Sequence, residues 1–134
     1  MKAMALDLGS VWIGVALSDA LRMFCKPYAT IKINELEAFL TTTFAKEKIS
    51  TVVVGYPKTM RGTQSQQTLE VIQHKEKLEQ LFPQVTWLFW DERLSSKQAA
   101  QVNHDRKYDK QKEHAIAAAI ILQAYLESAN LQSY

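Results

Sequence analysis

Three polar sites interrupt otherwise apolar segments of this 134-residue chain, and each carries groups able to hold a cation or move a proton. Asp7 lies in ALDLG with apolar neighbours on both sides. A carboxylate buried in such a strand is costly unless a cation or several hydrogen bonds offset it. An Asx-type turn, in which the side chain caps the loop at Gly9, would also satisfy it. Asp91 and Glu92 follow directly on the apolar run VTWLFW and open the segment DERLSS. Ligands of sheets with crossover helices bind beyond the carboxyl ends of the strands, which places Asp7 and Glu92 to face one crevice. Glu113 and His114 stand side by side in KQKEHAIAAAIILQAYL, where a basic stretch passes into an alanine- and isoleucine-rich run. The plain reading of that pair is a helix start. Gly9, Gly14, Gly55 and Gly62 lie in or beside these segments, where a backbone can approach a ligand or simply turn.

The elements that position these residues follow from hydrophobic periodicity. Ala3–Leu8 and Ile13–Leu17 flank the loop at Gly9 and Ser10 and predict an antiparallel hairpin. Beyond Asp19, the stretch LRMFCKPYATIKI favours a third strand, and Pro27 assigns it to a sheet edge. Asn34 is the expected N-cap of a helix over Glu35–Lys48, whose apolar stripe is Leu36, Phe39, Leu40 and Phe44. TVVVGYP then reads as a buried strand, Gln64–Phe82 as a second amphipathic helix and VTWLFW as the next strand. Ser95 and Ser96 are placed to cap a helix through Val102, HDRKYDKQK reads as a charged loop, and Glu113 to about Ser128 as the final helix. The resulting order, β-β-β-α-β-α-β-α-α, is that of an α/β fold whose sheet starts antiparallel and continues through crossovers.

Composition narrows the classes. At 47% hydrophobic and 22% charged, the 134 residues suit one compact domain over 1–134. The longest apolar run, Ala115–Leu122, is far short of the roughly 20 residues that span a bilayer, and MKAMALDLG lacks a signal peptide's apolar stretch, so no membrane role and a cytoplasmic location are expected. Cys25 is the only cysteine and there are three histidines, so any metal site must be built from carboxylates and imidazole. The formal charge of +2 is too small to establish a polyanionic partner by itself.

Four segments in order, DLGSVWIGVALSD, VVVGYPKTMRGT, DERLSS and IILQAYL, resemble the YqgF-type family, to which pre-16S rRNA nuclease and Holliday junction resolvase roles are ascribed. The resemblance runs nearly end to end. It implies a ribonuclease H-like fold with a mixed five-stranded sheet and helices on both faces, and phosphodiester hydrolysis dependent on a divalent metal. It also implies three acidic ligands. The first falls on Asp7 and the second on Glu92. The third is an aspartate eight residues before the leucine of the I-L-Q stretch, and counting back from Leu122 places His114 there.

Two divalent ions about 3.5 to 4 Å apart would activate a water and stabilise the leaving oxygen of an in-line displacement, with Asp7 bridging, Glu92 on one ion and neutral His114 on the other. Imidazole suits transition metals better than magnesium, so Mn²⁺ is the favoured cofactor and Mg²⁺ the alternative. Glu113 stands about 100° round the helix from His114, and only one of the two takes the family position; Asp109 is a further option from the preceding loop. Arg93 follows the acidic pair and is suited to clamp a phosphate, and Lys58, Arg61, Arg106, Lys107, Lys110 and Lys112 are expected in loops near the same rim. Trp12 stands where the family usually carries an arginine; it either packs in the core or stacks on an unpaired base. No role is assigned to His74, His104 or Cys25. RNA is the favoured substrate, with maturation of the 5′ end of 16S rRNA implied most specifically. Branched DNA is the alternative, and because resolvases cut symmetrically it requires a homodimer rather than a monomer. The further alternative, prompted by the missing third acid, is a nucleic-acid-binding module with feeble catalysis.

Overall fold

The computed structural model describes residues 1–9, 11–56, 66–91 and 110–132. Near-continuous apolar runs build β1 (Lys2–Leu8) and β2 (Trp12–Ser18), and with β3 (Cys25–Lys32) they pair antiparallel in sequence. β4 (Ile49–Tyr56) adds parallel to β1, and β5 (Thr86–Asp91) adds parallel to β4. The sheet order is β3-β2-β1-β4-β5, the mixed five-stranded sheet expected, with β3 at an edge. Pro27 sits where Val15 pairs with Ala29 but Ala16 pairs with Pro27, so Tyr28 is an extra residue on the outer strand. Such a bulge suits a residue that has no N–H to give to the ladder.

Helices α1 (Leu36–Lys46), α2 (Gln66–Leu81) and α3 (Lys110–Gln132) complete the described elements. The expected cap at Asn34 is not made. Ile33–Glu35 forms one 3₁₀ turn, α1 starts after Glu35, and that position makes no side-chain cap bond. The cause is tertiary: the Ile33 N–H donates to the Val11 carbonyl at 2.9 Å, and the Leu36 N–H returns to the Ile33 carbonyl, which tightens the chain before the helix opens. α3 begins at Lys110, three residues ahead of the expected start, so Lys110 and Lys112 belong to the helix rather than to a loop. The helix expected after Ser95 lies outside the described residues.

The two faces of the sheet pack differently. On one, Met4, Leu6, Leu8, Ile13, Val15, Leu17, Val52 and Val54 are buried with Leu36 and Leu40 of α1 and Val71 and Leu78 of α2. On the other, Ala3, Ala5, Ala16 and Val53 pack against Ala118, Ile121, Leu122 and Leu126 of α3. Period-two alternation creates this split, and the small side chains of the second face let α3 lie close to β1 and β2. Cys25, on the edge of the second cluster, donates its thiol to the Ala119 carbonyl at 3.3 Å. Burial, followed by the nearby Glu127 and Asp19 carboxylates, pushes the thiol up to about 11, which makes it a poor nucleophile at neutral pH.

Seating α3 depends on a few fully buried contacts. Leu122, with no exposed surface, is expected to cost about 2 to 5 kcal/mol when cut to alanine. Leu81→Ala, at a half-exposed position, should change stability by only about 0.5 kcal/mol, and the urea midpoints of the two variants separate the cases.

Candidate active site

Asp7 is the penultimate residue of β1 and shares the α3 face with Ala3 and Ala5, since every second side chain points that way. Its side chain retains 21% of its exposure and is open to a ligand. Directly opposite in the antiparallel ladder stands Gly14. Opposed residues of such a pair point to the same face, so any side chain at position 14 would rise beside Asp7. There is no room for one. A Cβ built on Gly14 would stand 1.8 Å from the His114 carbonyl oxygen and 2.8 Å from the Ala115 nitrogen. The backbone of α3 therefore rests on Gly14 itself. Among the reasons the sequence offered for glycines in these segments, close approach holds at position 14, but what approaches is the protein's own helix.

Gly9 does a second job. Its N–H donates to the Trp12 carbonyl at 3.0 Å and closes the β1–β2 turn, and a Cβ there would stand 2.5 Å from that oxygen and 3.7 Å from His114 Cε1. The turn is thus packed against the imidazole. Where an Asx-type turn was considered for Asp7, a backbone hydrogen bond closes the turn.

His114 faces Asp7, with Nδ1 3.9 Å from Oδ2 and one third of its side chain exposed. Glu113, one step round the helix, is exposed. The separation of 3.9 Å is beyond the 2.7 to 3.2 Å of a direct hydrogen bond. A part-exposed contact of this length, even between charged groups, contributes at most about 1 kcal/mol, whereas burying one leucine contributes about 1.5 to 3 kcal/mol. Ile121, Leu122 and Leu126 therefore hold α3 in place, and the imidazole meets the carboxylate as a consequence. A carboxylate oxygen and an imidazole nitrogen are both donors that a divalent transition-metal ion accepts, so the pair could contribute to a cation site. They are an incomplete shell by themselves: among the described residues no three His, Cys, Asp or Glu side chains gather.

Of the other predicted site residues, Glu92, Arg93, Lys58, Arg61, Arg106 and Lys107 lie outside the described residues, as does Asp109. Glu92 directly follows Asp91, the last residue of β5. Trp12, the first residue of β2, is half-buried and carries the Lys32 ammonium 5.7 Å from its ring centroid. Lys32 escaped the sequence reading. The signal for it was available only after pairing Trp12 with the end of β3, because adjacency across an edge is a matter of register.

Comparison with known proteins identifies the family and the fold. The model of the RuvX family, described as Holliday junction resolvase, matches residues 1–128. A protein of Rubrobacter xylanophilus is 36% identical over 128 residues, which cover 94% of this chain and 92% of the relative; its name ascribes to it pre-16S rRNA nuclease activity. A relative from Christiangramia forsetii with the same ascription is 35% identical over 131 residues, covering 93% of this chain and 97% of its own. Among solved structures, RuvC of T. thermophilus bound to a Holliday junction substrate superimposes with a TM-score of 0.63 at 11% identity, covering 97% and 96% of the two chains. The fowlpox virus Holliday junction resolvase gives 0.58 at 13% identity, covering 96% and 99%. The fold is thus the ribonuclease H-like α/β arrangement expected. No helix among the described residues is long and apolar enough to cross a membrane.

Gly14→Ala puts a methyl group where the His114 carbonyl now lies, and backbone cannot swing aside as a rotamer does. It is expected to destabilise the fold by about 1 to 3 kcal/mol, read as a lowered urea midpoint. An unchanged midpoint would mean that α3 does not sit on β2 as described.

Proposed function

The chain belongs to the RuvX family, a family of nucleases, and from that premise we propose that it hydrolyses phosphodiester bonds in structured RNA, with the 5′ region of pre-16S rRNA as its substrate. The observation that carries the site is the convergence of Asp7 and His114 at the carboxyl end of β1, held by helix backbone seated on Gly14. Names of relatives 36% and 35% identical across nearly the whole chain favour the rRNA substrate. The family's own description keeps cleavage of four-way DNA junctions as the second reading.

In this proposal Asp7, Glu92 and His114 hold divalent metal. When bound, the metal supplies a nucleophilic water at neutral pH and charge stabilisation at phosphorus. The protein's share is positional. Asp7 offers a carboxylate fixed at the strand end, where one oxygen faces His114 and 21% exposure leaves access for a phosphate. His114 offers Nδ1 as a lone-pair donor when neutral, so its proton must reside on Nε2. Glu92, next after β5, contributes the second carboxylate from the other parallel pair of the sheet. Arg93, beside it, is suited to a phosphate oxygen through two parallel N–H donors.

The donor set predicts metal preference. Two carboxylates and an imidazole suit Mn²⁺ better than Mg²⁺, and cleavage of a pre-16S 5′ leader transcript is expected to be faster with Mn²⁺ at matched concentration. Replacing the imidazole by carboxylate, His114→Asp, should move that preference toward Mg²⁺; a preference indifferent to the substitution would remove His114 from the shell. Asp7→Asn is expected to lower cleavage by about 10²-fold or more, beyond the roughly 10- to 100-fold cost of losing a group that merely supports a ligand. Comparing the leader transcript with a synthetic four-way junction decides the substrate: faster, symmetric cutting of the junction would favour the resolvase reading.

A further inference from the structure

Three tryptophans punctuate the chain, and the core uses two of them. Trp87 is buried, with its indole N–H donated to the Phe82 carbonyl at 3.1 Å. Trp90 packs edge-on against Tyr125 of α3. Trp12 belongs to neither apolar cluster. We propose that Trp12 and Lys32 form a nucleotide subsite beside Asp7 and His114, taking an unpaired base on the indole face and the adjoining phosphate on the lysine. This deepens the nuclease reading and rests on it for which strand occupies the subsite.

The placement follows from the ladder. Ile13, Val15 and Leu17 point into the cluster with α1 and α2, so Trp12, Gly14 and Ala16 point to the face of α3. Lys32 is opposite Trp12 in register and shares that face. Asp7 is opposite Gly14, which makes Trp12 its diagonal neighbour, at a distance of roughly 7 to 8 Å. A phosphate bound through a metal that Asp7 and His114 would hold leaves the next base within reach of the indole.

The platform is also fixed and charged. The Trp12 carbonyl accepts the Gly9 N–H, and the Val11 carbonyl beside it accepts the Ile33 N–H that follows Lys32. Both residues therefore stand on backbone that is bonded across the sheet. Lys32 is exposed, forms no ion pair among the described residues, and rests over the ring. At an exposed site such a cation–π contact is weak enough to be exchanged for a phosphate oxygen and a stacked base. Paired bases hide their faces inside a duplex, so the subsite selects strands that are single or splayed.

Binding measured without cleavage tests this directly, by anisotropy of a labelled oligoribonucleotide in EDTA, single-stranded against a blunt duplex of the same sequence. Trp12→Ala is expected to weaken the single strand roughly five- to 150-fold and the duplex little. Trp12→Phe should keep most of the affinity, which guards against a merely structural loss. Lys32→Ala should weaken both ligands and flatten the salt dependence by about one unit of slope. Equal losses on both ligands with Trp12→Ala, or no loss on the single strand, would overturn the subsite. The nuclease reading fails separately: wild-type protein that binds as described but cleaves nothing with Mn²⁺ leaves the subsite standing and removes the catalysis.

Discussion

Everything at the site depends on one contact, helix backbone against a strand glycine. The His114 carbonyl lies where the first carbon of any side chain at position 14 would be, so β2 can carry only glycine there. Because Gly14 is the ladder partner of Asp7, the same contact sets the height of the imidazole over the carboxylate. The contact between imidazole and carboxylate is too long and too exposed to create this arrangement. It is inherited from the packing of Ile121, Leu122 and Leu126 further along the helix.

The sheet's two faces divide the labour. One buries large aliphatic and aromatic side chains under α1 and α2 and supplies most of the apolar burial. The other is lined with Ala3, Ala5, Gly14 and Ala16, which offer little area but allow close approach of α3. Close packing transmits position: a helix seated on small residues has few ways to shift without overlap. The topology then adds the opening. β1 has an antiparallel neighbour on one side and a parallel neighbour on the other, and its carboxyl end is where such sheets leave room for a ligand.

The imidazole at position 114 changes the chemistry more than the geometry. The resemblance places an aspartate at position 114, so in the proposed centre the imidazole keeps a lone pair and removes one negative charge. Less anionic charge there would weaken the hold on a hard cation and leave a softer donor set. Trp12 is the companion departure from the resemblance, an aromatic face with the Lys32 ammonium beside it across the edge.

Much of this was legible in residue order. The apolar runs Ala3–Leu8 and Ile13–Leu17 on either side of Gly9 and Ser10 announced the hairpin, Pro27 announced an edge, and the β-branched run before Gly55 announced a buried strand, because apolar runs, turn residues and proline's missing N–H act locally. The family resemblance named Asp7, Glu92 and His114 together, and of these the structure describes Asp7 and His114, which face each other. The tertiary structure decided what local chemistry does not contain. Asn34 is a good capping residue, yet the Ile33–Val11 hydrogen bond tightens the chain and displaces the cap. α3 starts at Lys110, ahead of the apolar run that marked it. Gly14 looked like any strand glycine until the helix lying on it was seen, and Lys32 looked like a surface charge until register set it over Trp12. Sequence alone determined which segments alternate and which residues carry charge; which backbone rests on which glycine is set by the assembly of distant segments, and it is there that Asp7 and His114 become one site.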